Sequence, residues 1–96
     1  MKVAYTEPAL EDLDQIRDYV VANYPTLVSV VEEHIHTVIG RIGEWPESAQ
    51  AVAERPDVRV APVVRYPYKV FYRIAKKQVE ILHIYHSSRE SWVGES

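Results

Sequence analysis

His86, Ser87, Ser88 and Arg89 follow directly on the apolar run 78–85, and Trp92 comes three residues later. A histidine beside two serines invites a hydrolase reading. That chemistry needs a serine on a strained elbow, a histidine reaching it through space and an acid orienting the histidine. Sequence neighbours seldom supply such geometry, and no GxSxG occurs, so turn hydrogen bonding is the simpler role for Ser87 and Ser88. General acid–base cleavage of RNA fits the residue types better. It needs a group to activate the ribose 2′-hydroxyl, a proton donor for the leaving oxygen and cations for the phosphorane. His86 can serve as acid or base, Arg65, Arg73 and Arg89 as phosphate clamps, and Tyr85 as a stacking surface. The competing role is structural: His86 closes a strand by hydrogen bonding while Arg89 pairs with an acid of the first helix. Residue types alone favour that role.

Other chemistries are poorly served. His34 and His36 are two apart on a predicted helix and do not face each other. His83 and His86, three apart on a predicted strand, are expected on opposite faces. There is no HExxH and no cysteine, so thiol chemistry, disulfides and thiolate metal sites are excluded and no metal is expected. Glycine occurs only at 40, 43 and 94, which leaves no phosphate-cradling loop and no expected cofactor.

The net charge of −3 hides an asymmetry. Residues 1–54 carry three cations and ten anions, residues 55–77 carry seven cations against Asp57, and residues 78–96 carry Arg89 against three glutamates. A basic segment on an acidic body suggests a surface that meets an anionic partner, unless these cations only keep a sheet soluble. The start of the chain meets acids before an apolar leader core could form, and no apolar run approaches the ~20 residues of a membrane helix. A cytoplasmic protein is expected.

The elements that must position these residues follow from periodicity. At 96 residues the chain makes one domain, 1–96. Residues 2–5 read as a strand. Thr6 is a candidate N-cap with Pro8 in the first turn, and Leu10, Leu13, Ile16 and Val20 recur at helical spacing until Asn23-Tyr24-Pro25. Leu27, Val30, Val31, Ile35, Val38, Ile39 and Ile42 mark one face of a second helix, closed by Gly43 and Pro46. The short connection predicts an antiparallel helical hairpin. Residues 46–58 read as a loop. Three β runs follow, at 58–66, 68–75 and 78–86, the last two joined by a tight hairpin. Pro62 argues for an edge strand or a bulge in the first. In the last strand, parity places Leu82, Ile84 and His86 on one face and Val79, Ile81, His83 and Tyr85 on the other. Both sets are largely apolar, so either some sheet surface stays open for a partner or a curved sheet buries both faces. The order β-α-α-β-β-β predicts an α+β domain, a helical hairpin packed on a mainly antiparallel sheet.

Asp12-Leu13, Ile16 and Tyr19 in the first helix, Ile39, Ile42 and Trp45-Pro46 at the end of the second, the run 64–74 (VRYPYKVFYRI), and His86 with Arg89 form an ordered set. Together they resemble the RelE/ParE superfamily of bacterial type II toxins over residues 5–92. The resemblance implies a cognate antitoxin and one of two activities. RelE-like members cleave mRNA at the ribosome, whereas ParE-like members inhibit DNA gyrase and are not nucleases. A sequence pI near 5.8, the pattern of the strands and a short C-terminal tail without cations lean toward the ParE side. On this reading the target meets Arg59, Arg65, Lys69, Arg73, His86, Arg89 and Trp92. The antitoxin meets the hairpin at Leu10, Leu13, Val20 and Ile35. A RelE-like nuclease working through Arg65, Arg73, His86 and Arg89 remains an alternative. So does an inactive toxin that works only within an autoregulatory antitoxin complex.

Overall fold

The computed structural model describes residues 1–87. Its elements are β1 (Lys2–Tyr5), α1 (Glu7–Asn23), α2 (Val28–Glu44), β2 (Gln50–Val52), β3 (Arg55–Pro62), β4 (Tyr68–Ala75) and β5 (Gln78–His86), with a 3₁₀ turn at Pro25–Leu27 between the helices. The strands form one sheet in the order β1-β5-β4-β3-β2. All neighbours are antiparallel except β1, which runs parallel to β5.

Thr6 starts α1 and also ties it to the sheet. Its Oγ1 accepts from the Ala9 N–H at 3.3 Å, while the hydroxyl and backbone N–H of Thr6 both donate to the Ile81 carbonyl, at 2.7 and 3.1 Å. α1 then gives the core only Ala9 and Val20, whereas α2 gives Val31, Ile35, Val38, Ile39 and Ile42. These α2 side chains are β-branched, so intrinsic helix propensity is low. Burial offsets that, at roughly 1.5–3 kcal/mol for each fully buried side chain. They pack on Val70, Tyr72, Val79, Ile81 and Ile84 of the sheet. Where α2 crosses β1 the approach is close at Gly43: a Cβ there would stand 3.0 Å from Val3 Cγ2, tighter than ordinary van der Waals contact.

Three expectations are corrected. The segment 46–58 is not simply a loop, because Gln50–Val52 pairs with β3 as a fifth strand and β3 begins at Arg55. The alternation expected along β5 also breaks. The register shifts at Phe71/Tyr72, where Phe71 faces His83 and Tyr72 faces Ile81, leaving Leu82 as an extra residue. Val79, Ile81 and Ile84 therefore share the helix-side core, while Tyr85 joins Val52, Val58 and Phe71 in a second cluster. All four of those side chains are buried, so the sheet covers apolar surface on both faces. The edge position expected for Pro62 is local: β2 stops pairing at Val60, two residues earlier.

The β4–β5 turn places Lys76 and Lys77 at φ of 54° and 60°, with Ala75 and Gln78 paired across it. Both central residues of this tight turn sit in the left-handed region that Asn-Gly prefers. Lys77→Gly is expected to raise stability by about 1 kcal/mol, measured by denaturant titration.

Candidate functional site

At one end of the sheet, four tyrosines and a histidine from separate elements form an aromatic recess. Tyr19 comes from α1, Tyr24 from the hairpin connection, Tyr66 from the β3–β4 turn, Tyr68 from the start of β4 and His86 from the end of β5. Tyr68 and His86 are direct cross-strand partners, with ring centroids 5.8 Å apart and planes nearly perpendicular. Tyr19 and Tyr24 lie 6.4 Å apart, and both are more than half exposed. Two adjoining cavities of about 350 Å³ each open here and share Tyr19, Tyr68 and His86.

The turn that carries Tyr66 is closely tied. Arg65 sits at φ 77°, Tyr68 N–H donates to the Tyr66 carbonyl at 2.8 Å, and Ser87 N–H donates to the Pro67 carbonyl at 2.7 Å. Tyr66 also meets His34 of α2 edge-on at 5.0 Å. Burial pushes the Tyr68 hydroxyl above the ordinary tyrosine range, and the neighbouring Tyr19 adds to the effect. An aromatic concavity with hydroxyl and imidazole groups at its surface suits recognition of a partner's side chains.

The sequence matches the ParE toxin of type II toxin-antitoxin systems, parDE, over residues 3–91. The chain belongs to this family. Toxin RelE2 of Caulobacter vibrioides is 32% identical over 89 residues, which span 92% of this chain and 97% of that protein. Among solved structures, a chromosomal ParDE toxin-antitoxin system from P. aeruginosa matches at a TM-score of 0.79 and 25% identity, covering 90% of this chain and 95% of that one. The RelBE2 toxin-antitoxin complex of Mycobacterium tuberculosis matches at a TM-score of 0.61 and 22% identity, covering 88% and 95%. These matches place the chain in the RelE/ParE superfamily, as a type II toxin with an α+β fold.

In this ParE-family chain the basic residues are dispersed. Arg65 is exposed and lies at the recess end of the sheet, one residue before Tyr66. Arg73 is paired with Glu80, Nε to Oε1 at 2.8 Å, near the other end of β4. Five residues separate it from Tyr68, about 16 Å of strand, and the odd offset turns it to the opposite face from the His86 partner. Arg59 faces Tyr72, and its guanidinium donates to the carbonyls of Glu47 and Ala49 at 3.1 and 2.7 Å, which pins the approach to β2. Lys69 is half-buried opposite Tyr85. Tyr85 is buried against Phe71, so its ring is not open for stacking. Arg89 and Trp92 lie outside the described residues.

The hairpin positions also divide. Leu10 is half exposed and Leu13 partly buried, but Val20 and Ile35 are 5% and 1% exposed. The last two are therefore corrected from contact surface to core, because the faces at these positions pack inward on the sheet.

The recess tyrosines mark no common site in the sequence, because they are scattered across four elements. The Asp12 carboxylate also has a task that its place in the sequence pattern does not show. Oδ2 accepts from the Ile84 N–H at 2.9 Å and lies 3.0 Å from His83 Nδ1. Since β1 pairs with β5 only as far as Ile81, Asp12 takes over the strand edge where β1 stops.

Proposed function

We propose that this toxin acts by binding, in the ParE manner, inhibiting DNA gyrase in the cytoplasm until a cognate antitoxin covers its helical hairpin. The observation that carries this reading is the separation of Arg73 from His86 along and across the sheet. A nuclease needs its proton-transfer group and its phosphate-stabilising cations around one scissile phosphate. Here the Arg59 guanidinium donates to main-chain carbonyls, and Arg73, still partly exposed, pairs with Glu80. His86 instead borders an aromatic recess with the composition of a recognition surface. The target would meet that recess and Arg65 beside it, and the antitoxin would reach Leu10 and Leu13.

The competing reading is a ribosome-dependent mRNA endonuclease, favoured by the placement of Arg65 and His86 at the same end of the sheet. The purified toxin is expected to inhibit supercoiling by purified gyrase. In cells, DNA synthesis should fail within minutes of induction and before protein synthesis does. Failure of protein synthesis first, with gyrase unaffected in vitro, overturns the gyrase reading in favour of the nuclease.

A further inference from the structure

The aromatic recess has a charge character as well as a shape. Residues 55–77 carry seven cations, yet no lysine or arginine among the described residues lines either of its two cavities. Arg65, next to Tyr66 in sequence, is exposed outside them. The charged side chain that does line the space is an acid: Asp12 borders the cavity that also touches Tyr19 and Tyr68. The last turn of α1 adds to the wall through Val20 and holds no basic residue. The negative end of that helix dipole is thus left without a cation of its own turn.

The rings suit the same guest. A tyrosine ring carries negative charge density on its faces and attracts a cation placed within about 6 Å of its centroid. Tyr19 and Tyr24 are inclined at 55°, and Tyr68 and His86 at 85°, so neither pair closes up by parallel stacking. Tyr19 and Tyr24 stand more than half exposed beside the deeply set Tyr68. A cavity of about 350 Å³ is large enough for a long side chain. Phenol rings around a space with a carboxylate and no cation favour an ammonium or guanidinium group over an anion.

We propose that the recess takes a cationic side chain, arginine or lysine, presented by the toxin's target. This deepens the gyrase-binding reading and rests on it.

The test titrates the full chain with N-acetyl-arginine amide, with its neutral isostere N-acetyl-citrulline amide and with apolar N-acetyl-leucine amide, followed by NMR. The arginine probe is expected to shift the Tyr19, Tyr24 and Tyr68 resonances saturably, binding at least about fivefold more tightly than either neutral probe. Tyr19→Phe keeps the ring and should keep that preference, whereas Tyr19→Leu keeps apolar bulk and should lose most of it. Asp12→Asn should weaken the arginine probe a few-fold and leave the neutral probes unchanged. Lys76→Glu, at the remote β4–β5 turn, should alter nothing. Equal or tighter binding of a neutral probe, or no binding by any, overturns the cationic guest. If Tyr19→Ala with Tyr24→Ala still relieves gyrase inhibition in that case, the gyrase-binding reading stands without it. Preference for the arginine probe in a toxin that leaves supercoiling untouched overturns the gyrase reading and with it the assignment of the guest to that target. Binding that appears only in Arg89→Ala gives the recess to an arginine of this chain and overturns the proposal.

Discussion

Asp12→Ala is expected to lower the stability of the chain by about 2–3 kcal/mol, a larger loss than removal of an ordinary surface carboxylate. Asp12 is on α1, and its side chain is only 18% exposed. It accepts the backbone N–H of Ile84, a residue that is itself 3% exposed, at a point where β5 has lost β1 as its neighbour. Alanine removes the acceptor without supplying water in its place, so a largely buried N–H loses its partner. That desolvation cost falls on the folded state alone. The contact with His83 is lost as well. At this chain length each kcal/mol shifts the melting temperature by roughly 4–8 °C, so a fall of about 10–20 °C should be read by thermal or urea denaturation. Asp12→Asn keeps an oxygen able to accept from Ile84 and should cost less than half as much. An alanine variant within about 0.5 kcal/mol of the parent would mean that the Ile84 edge is solvated and that α1 is held by Thr6 and packing alone.

That prediction concerns a residue whose role could not be read from the sequence. Asp12 lies among several acids near the start of α1, where a carboxylate ordinarily serves the helix dipole or solvation. Only the parallel pairing of β1 with β5, and its end at Ile81, creates the open edge that Asp12 fills. The helices were legible for the opposite reason. The spacing of Val31, Ile35, Val38, Ile39 and Ile42 is a property of one segment, and their burial follows from it. β2 was missed because three residues carry no periodicity, and Gln50–Val52 becomes a strand only through the edge that β3 offers. The faces of β5 were misread because period two holds only in a regular strand. The extra residue at Leu82 brings Ile84 back to the helix side and turns Tyr85 away. The candidate site was legible at His86 and Arg65, which lie at the same end of the sheet. It was not legible at Tyr19, Tyr24, Tyr66 and Tyr68, because the folded chain alone brings these four elements together.

The recess itself yields the second large effect. Tyr19→Ala combined with Tyr24→Ala should weaken target engagement by roughly 30-fold or more, as expected when two aromatic anchors leave one interface. Both rings are more than half exposed, so the change should cost the isolated fold little. His86→Gln should have a smaller effect, a few-fold, because glutamine keeps a polar group at the end of β5 while giving up the ring contact with Tyr68. The readout is titration of each purified variant against gyrase supercoiling, with melting temperatures measured in parallel. The ranking separates the two toxin chemistries better than any single value. A surface that works by binding loses most when contact area is removed, whereas a general acid–base site loses most when its proton carrier is removed. If the tyrosine variant remains fully toxic and His86→Gln is inert but still folded, the recess is not the contact surface. His86 then becomes the group that moves the proton, with Arg65, exposed at the same end of the sheet, a candidate for steadying the phosphate.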